Sequence, residues 1–448
     1  MAQLASDQWE LSFNELVNAL RSQLQPQEKF TLRLVAETSQ FTRFNQGKVR
    51  QTGSVCDGEL RLSWIIGQKT GDRALPFTTD KETDWPTLLA VVADLRQEVP
   101  QLPDDPYLVL PTGEATSRDV HQGELLPESD IVRTLLPEVD GLDFVGLYAG
   151  GRSIRAYADS AGQQHWFETD SFSLDYSLFT QTGQAVKGTF AGSHWDTAAY
   201  RCQLAESKEL LTLMAQPPKS IERGQYRTYL APAAMADLLS MFSWGGVSEA
   251  AIRRGGSAFG LLSRGEKQLS AKFTLTENFT RGGVPRFNSL GEIAPRQLPI
   301  ISAGQLVNSL VSSRTAKEYG IAANAAATGE SLRAPEVSPG NLAPDEVLSA
   351  LDTGLYLSNL HYLNWSDRPQ GRITGMTRYA CFWVENGKII APIENLRFDE
   401  SLYCCFGSEL IGLTNRAEFI PEVGTYGNRD LGGIWTPGAL VQDFTYTL

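Results

Sequence analysis

TRYACFWVENGKIIAPIENLRFDESLY, residues Thr377 to Tyr403, is the stretch from which the architecture of the chain can be read. Two largely apolar runs, 379–384 and 388–393, flank Asn386-Gly387, the dipeptide that most readily takes up the positive φ angles of a type I′ hairpin turn. Two antiparallel strands are therefore expected. Tyr379, Cys381 and Trp383 alternate with Ala380, Phe382 and Val384, so neither face is suited to water and the hairpin is expected inside a covered sheet.

The chain around this hairpin is long. Its 448 residues exceed the roughly 250–300 at which single cores stop growing, so two domains are expected. Proline at Gln216-Pro217-Pro218 ends a helical pattern, which places the boundary between 1–218 and 219–448. With 42% hydrophobic and 20% charged residues, the composition is globular, and disorder is expected only in loops. The net charge of −13 and the absence of any basic run exclude a protein that binds nucleic acid through sequence-independent phosphate contacts. The longest apolar run, Leu88 to Ala93, is far short of the roughly 20 residues that span a bilayer, and MAQLASDQWEL has no signal-peptide core. A soluble cytoplasmic protein without a membrane partner is expected.

Residues 7 to 24 carry Trp9, Leu11, Phe13, Leu16, Val17 and Leu20 at helical spacing. Strand alternation follows at Phe30 to Ala36, then Phe41 to Gln51 passes a turn at Asn45-Gln46-Gly47, and Glu59 to Ile66 turns through Gly67 to Gly71. Helical patterns at Trp85 to Val99 and Glu128 to Leu136 frame a second strand group: Phe144 to Tyr148, Ile154 to Ala158, His165 to Phe179 and Ala185 to Phe190. A helix over Thr197 to Ala215 closes the first half. The second half opens with a strand, Tyr226 to Ala231, and a helix, Ala233 to Phe242, interrupted at Trp244-Gly245-Gly246. A short helix over Ser313 to Tyr319 is expected to have Ser313 as N-cap and Gly320 just past its end, and 322–345 reads as a long surface loop. Strands in runs with helices set apart predict an α+β fold with mixed or antiparallel sheets and flanking helices. No repeat of 20 to 50 residues and no low-complexity tract is visible.

Several blocks, taken in order, resemble the TldD/PmbA family, also called modulators of DNA gyrase. They are Thr42-Arg43-Phe44 with Gly47-Lys48-Val49, and Gly58 with Leu60-Arg61-Leu62. In the second half they are Gly304, Leu306, Leu310, Arg314, Ala316 and Gly320, then Gly354-Leu355-Tyr356-Leu357 and Phe382 to Ile389. The resemblance implies a two-domain α+β subunit, dimers enclosing a chamber, and peptide hydrolysis by a zinc-bearing TldD-type subunit whose PmbA or TldE-type partner lacks zinc. In the catalytic type a helix presents HExxxH, its histidines holding zinc and its glutamate serving as general base. Here the resemblance places those positions on Ser240, Met241 and Gly245, and no register supplies a histidine because none lies between His194 and His361. Methionine and glycine cannot stand in for imidazole in such a site. Phe287-Asn288-Ser289-Leu290-Gly291 also replaces the family's acidic turn, leaving Glu292 displaced.

The remaining chemistry is sparse. The four histidines, His121, His165, His194 and His361, form no local metal pair. His165 with Glu168 and Asp170 could bind a metal, but a strand histidine on a half-exposed face is the plainer reading; His194 beside Asp196 reads as a packed turn, and His361 as a partly buried strand residue. Gly256-Ser257-Ala258-Phe259-Gly260 lacks the spacing of a GxSxG nucleophile elbow, and no phosphate-binding GxxxxGK[ST] is present. Arg253-Arg254-Gly255-Gly256-Ser257 offers cations and free N–H groups to an anion, or is simply a solvated loop. Asp104-Asp105 reads as solvated, and Arg397, Asp399 and Glu400 as ion pairs with one another or across a dimer. The five cysteines, Cys56, Cys202, Cys381, Cys404 and Cys405, have no CxxC spacing; Cys404-Cys405 is either a vicinal redox pair or, more simply, two buried thiols.

The expected catalytic, cofactor-binding and metal-ligating sets are therefore empty. The resemblance implies the non-catalytic, peptide-handling partner of a TldD-type zinc protease subunit in proteolysis or peptide maturation, with an unfolded peptide bound as an added strand. The alternative is a homodimeric peptide-binding or chaperone-like protein. An independent enzyme is the third reading, for which no nucleophile, base and anion-stabilising set emerges.

Overall fold

The computed structural model describes residues 6–447. The first half runs α1 (Ser6–Gln23), β1 (Glu28–Asn45), β2 (Lys48–Ile66), β3 (Lys69–Pro76), α2 (Lys81–Glu98), β4 (Thr116–His121), α3 (Glu128–Leu135), β5 (Asp143–Asp159), β6 (Gln164–Phe179), β7 (Ala185–Gly192) and α4 (Thr197–Met214). Its strands form one sheet, β3-β2-β1-β5-β6-β4, with β7 also on β6; all pairs are antiparallel except β4 with β6. Strand alternation sorts its side chains. Even-numbered residues such as Leu32, Leu34, Leu60, Leu62, Ile154 and Ala156 pack against Phe13 and Val17 of α1 and Leu88 and Val92 of α2. Further along the same face, Phe44, Phe144 and Leu174 meet Ile131 of α3 and Leu204 of α4. The helices thus cover one face, and the odd-numbered face looks toward the rest of the molecule.

The second half contains β8 (Gly224–Leu230), α5 (Pro232–Ser243), α6 (Glu249–Arg253), α7 (Gly260–Ser263), β9 (Leu275–Asn278), β10 (Gln297–Ser302), β11 (Gln305–Leu306), α8 (Ser313–Tyr319), β12 (Pro335–Val337) and α9 (Val347–Leu351). It continues through β13 (Gly354–Asp367), β14 (Arg372–Glu385), β15 (Lys388–Pro392), β16 (Arg397–Ser401), β17 (Leu410–Leu413), β18 (Glu418–Pro421), β19 (Gly433–Thr436) and β20 (Ala439–Tyr446). One sheet is β11-β10-β9-β12-β19-β18. In the other, β13-β8-β20-β16-β14 closes on itself because β14 also pairs with β13, leaving β15 on the outside of β14 and β17 beside β20. Leu357, Ile373, Phe398, Val441 and Phe444 of this ring share a core with Met235, Leu239 and Phe242 of α5.

The hairpin forms as expected: Asn386 and Gly387 have φ of 50° and 73°, and β14 is covered on both sides. Cys381 belongs to the α5 core, whereas Ala380 and Phe382 pack on Val186 and Met214 from the first half. The covered reading fails for β15, an outer strand with Ile390 45% exposed. Tyr379, at φ 62°, leaves the strict alternation.

Other differences have identifiable causes. Residues 144–158 are one strand, because Gly150-Gly151 permits close approach rather than a break; a Cβ on Gly151 would lie 2.3 Å from the Thr38 carbonyl oxygen. Ser312, not Ser313, caps α8 by accepting from the Thr315 amide, while Ser313 donates to Glu292. Residues 322–345 contain β12 and a Glu330 only 2% exposed, so they are more than a surface loop. Asp105 pairs with Arg314 at 2.5 Å. Asp399 pairs with Arg372 at 2.6 Å, and Glu400 accepts from the Thr445 amide at 2.9 Å, joining β16 to its neighbours rather than pairing with Arg397. All five cysteines are free thiols, with Cys405 buried. Among the described residues no helix is long and apolar enough to cross a membrane.

Candidate functional site

Between the odd-numbered face of the first sheet and the second half lies a cavity of about 1030 Å³. That is at the upper end of the roughly 300–1,000 Å³ typical of ligand pockets. Its floor is Arg33, Val35 and Glu37 of β1, Asp57, Glu59 and Arg61 of β2, and Arg155 and Tyr157 of β5. Its opposite wall is α5, through Leu239, Ser240 and Ser243, together with Pro285, Phe287, Asn288 and Arg333. Residues 426–428 close one side.

Each wall is fixed by local chemistry. Pro232 occupies the first turn of α5, where an amide hydrogen has no helical partner to lose. The α5 core face is Met235, Leu238, Leu239 and Phe242, which leaves Ser240 exposed on the cavity side with its hydroxyl donating to the Asp237 carbonyl at 2.7 Å. Ser243 Oγ accepts from the Leu332 amide at 3.1 Å. The turn at 287–291 is held by Asn288, whose Oδ1 accepts from the Leu290 amide at 2.8 Å and whose amide nitrogen donates to Glu292 and to the Ala326 carbonyl. Arg333 donates to the carbonyls of Phe287 at 3.1 Å and Ala325 at 3.2 Å and lies 4.7 Å over the Phe279 ring. Burial lowers the pKa of Arg333, and it also lowers that of Arg155.

The strap between β18 and β19 crosses to the first sheet. The Arg429 amide donates to Glu37 at 2.9 Å, and its guanidinium donates to the Gly151 carbonyl at 3.1 Å and to Ser171 at 2.9 Å. Tyr426 at the strap's tip is fully exposed.

Of the positions that the resemblance matched to HExxxH, only Ser240 lines the cavity. Met241 is 3% exposed in the core, and Gly245 lies past the helix end at φ 87°. The side chains that α5 turns to the cavity are Leu239, Ser240 and Ser243, none of them a metal ligand of a zinc hydrolase. No histidine lines it. His165 lies behind two of the lining rings: it is 1% exposed, its ring stacks on Phe287 at 5.3 Å and Tyr157 at 6.0 Å, and burial lowers its pKa. Its Nδ1 is 3.0 Å from the Ser117 hydroxyl, so it is a buried joint between the halves, not the half-exposed residue expected. His121, His194 and His361 are exposed, the ring of His121 lying 5.5 Å from Phe167 at a tilt of 48°. Among the described residues no group of three or more His, Cys, Asp and Glu side chains is gathered as a metal site. Arg253 and Arg254 pair with Glu249 and Glu318.

The cavity escaped the sequence reading because its walls come from strands and loops up to four hundred residues apart. The one available signal was charge on the odd positions of β1 and β2 opposite an apolar even set.

The profile of the PmbA/TldA metallopeptidase C-terminal domain matches residues 223–448. The chain belongs to the PmbA/TldD family. Solved structures agree with this membership at the level of the fold. A modulator of DNA gyrase from Bacteroides thetaiotaomicron superposes with a TM-score of 0.79 at 15% identity, covering 99% of this chain and all of the other. One from Thermotoga maritima gives 0.77 at 12% identity, covering 98% and 100%. TldE from Thermococcus kodakarensis gives 0.75 at 10% identity, again covering 98% and 100%. None of the curated proteins matches the chain. This PmbA/TldD member thus has the family fold along its whole length, with a cavity wall on α5 that offers a leucine and two serines.

Proposed function

We propose that this chain is a zinc-free PmbA/TldD subunit that holds unfolded peptide for a zinc-bearing partner subunit and does not itself hydrolyse it. The observation that carries the reading is the α5 wall. A serine hydroxyl is a poor ligand for zinc beside imidazole or thiolate, and a helix presenting Leu239, Ser240 and Ser243 has no group to bind the ion or to take a proton from its water. The fold shared with TldE supports the same reading.

Peptide binding is supported by the free edge of β2. β3 pairs only with Glu59 to Ile66, so the outer edge of 48–57 has no strand beside it among the described residues, and it runs into the cavity at Asp57. A peptide added there would form backbone hydrogen bonds, which tolerate many sequences. We also keep the two-domain division, 1–218 and 219–448, as part of this proposal, with the cavity between the two.

Affinity capture of the chain from its native cells tests the partnership. Recovery of a related subunit bearing HExxxH is the expected result. Recovery of only a second copy of this chain would favour a homodimeric peptide-binding protein.

A further inference from the structure

We propose that Arg33, with Arg61 and Arg155 beside it, forms a subsite in the cavity floor for a carboxylate of the bound peptide, either its C-terminal group or an Asp or Glu side chain. This rests on the peptide-handling reading above and names a chemical class of ligand for it.

Arg33 and Arg61 are direct cross-strand partners in the β1–β2 ladder, and both side chains lie on the cavity face. Directly opposed residues have Cβ atoms about 5 Å apart, and like charges there are destabilising. Arg155 is diagonal to Arg33 on the other side, since Arg33 pairs with Tyr157 and Val35 pairs with Arg155. Diagonal neighbours are about 7–8 Å apart, within reach of long side chains. Three arginines therefore project from adjacent positions on one face of the sheet, Arg33 directly beside Arg61 and diagonal to Arg155.

Asp72 and Glu59 lie near enough to favour the charge on Arg33, but among the described residues no acid forms an ion pair with it, and burial and Arg61 outweigh them. Glu59 pairs with Arg61 at 2.6 Å. Glu37 accepts from the Arg429 amide, and Asp72 accepts from the Ser63 hydroxyl. Asp57 is exposed at the mouth, and Glu422 is on the strap side. Arg155 donates to the carbonyls of Ile154 and Arg429. Of these three arginines, Arg33 is the one with no side-chain hydrogen bond or ion pair among the described residues, and its Nε is shut off from solvent without a partner. A buried donor left unsatisfied destabilises a fold, and an adjacent like charge adds to that cost. Such a local conflict at a cavity is the pattern of a site that a ligand completes. The planar fork of arginine donors fits a carboxylate in two-point contact.

The test is titration calorimetry of the full chain with a short, unstructured, N-acetylated peptide in three forms: free acid, C-terminal amide, and amide with one internal glutamate. The free acid is expected to bind about tenfold or more tightly than the plain amide. That preference should shrink as salt is raised and vanish in Arg33→Gln, whose melting temperature should equal or exceed that of the parent because the cross-strand repulsion is gone. If the glutamate-bearing amide regains the affinity, the subsite reads a side-chain carboxylate; if it does not, the terminus is the ligand. Equal binding of acid and plain amide overturns the subsite and leaves the peptide-handling reading standing. No binding of any form overturns both. Arg33→Gln that melts lower yet keeps the acid preference shows a structural arginine and also overturns the subsite. Arg61→Gln provides a second variant and should reduce the preference.

Discussion

Glu330 sits 2% exposed at φ 50°, where the 322–345 segment turns inward. Burial alone would push its carboxyl up, but hydrogen bonds from Ser248, Thr315, Ser312 and Ala250 outweigh it and hold the group below its ordinary value. The Ser248 hydroxyl lies at 2.6 Å, the Ser312 amide at 2.8 Å and the Ala250 amide at 2.9 Å, so one carboxylate ties the starts of α6 and α8. Because the folded value is depressed, this contribution is fully present above the ordinary carboxyl value of 4.5 and is lost as pH falls through the folded one. Glu330→Gln is expected to lower stability at pH 7 by about 2–3 kcal/mol. In urea melts the gap to the parent should narrow below about pH 4; an unchanged midpoint at pH 7 would mean that the carboxylate is not needed. Little of this was legible, since a lone glutamate in an Ala-, Gly- and Ser-rich stretch carries no sign of the two amides and two hydroxyls that fold around it. The histidine inventory, in contrast, was fully legible, because counting needs no geometry.

At the scale of elements, the hairpin was readable because Asn386-Gly387 decides the turn locally, before any tertiary contact. Gly387 has φ 73°, and a Cβ there would lie 3.3 Å from Ser349 Cα and 3.4 Å from the Leu348 carbonyl oxygen of α9. Gly387→Val is therefore expected to cost at least about 1–2 kcal/mol, whereas Asn386→Gly should be close to neutral; equal thermal shifts in the two variants would contradict the turn assignment. What the local pattern did not carry is which strand lies outside. β15 is as apolar as β14 in sequence, and only the pairing shows that β14 bonds to β13, β15 and β16 whereas β15 rests on β14. β4 escaped for the converse reason: its residues, TSRDVH, are polar, and it joins the sheet by a single parallel pairing with β6. α5 was readable as a helix, but which of its side chains face the cavity depends on the core that claims Met241.

For the whole molecule, the strap from β18 to β19 is the long-range tie across the cavity. Arg429 is 6% exposed and bonds to groups on β1, β5 and β6 that lie 258 to 392 residues away, which is why no local motif announced it. Arg429→Ala leaves the Gly151 carbonyl and the Ser171 hydroxyl without those partners. It is expected to cost about 2 kcal/mol or more and to speed limited proteolysis at the strap around Tyr426; cleavage rates equal to the parent would show that other contacts hold the strap. Such a tie suits a subunit that shapes a chamber for peptide without carrying out the chemistry there. The most direct measurement of that proposed role is hydrolysis of an unfolded peptide by the purified chain with zinc supplied, alone and then mixed with the HExxxH-bearing subunit proposed as its partner. We expect no cleavage alone and cleavage in the mixture; cleavage by the chain alone, abolished by a chelator, would contradict a zinc-free, peptide-holding subunit.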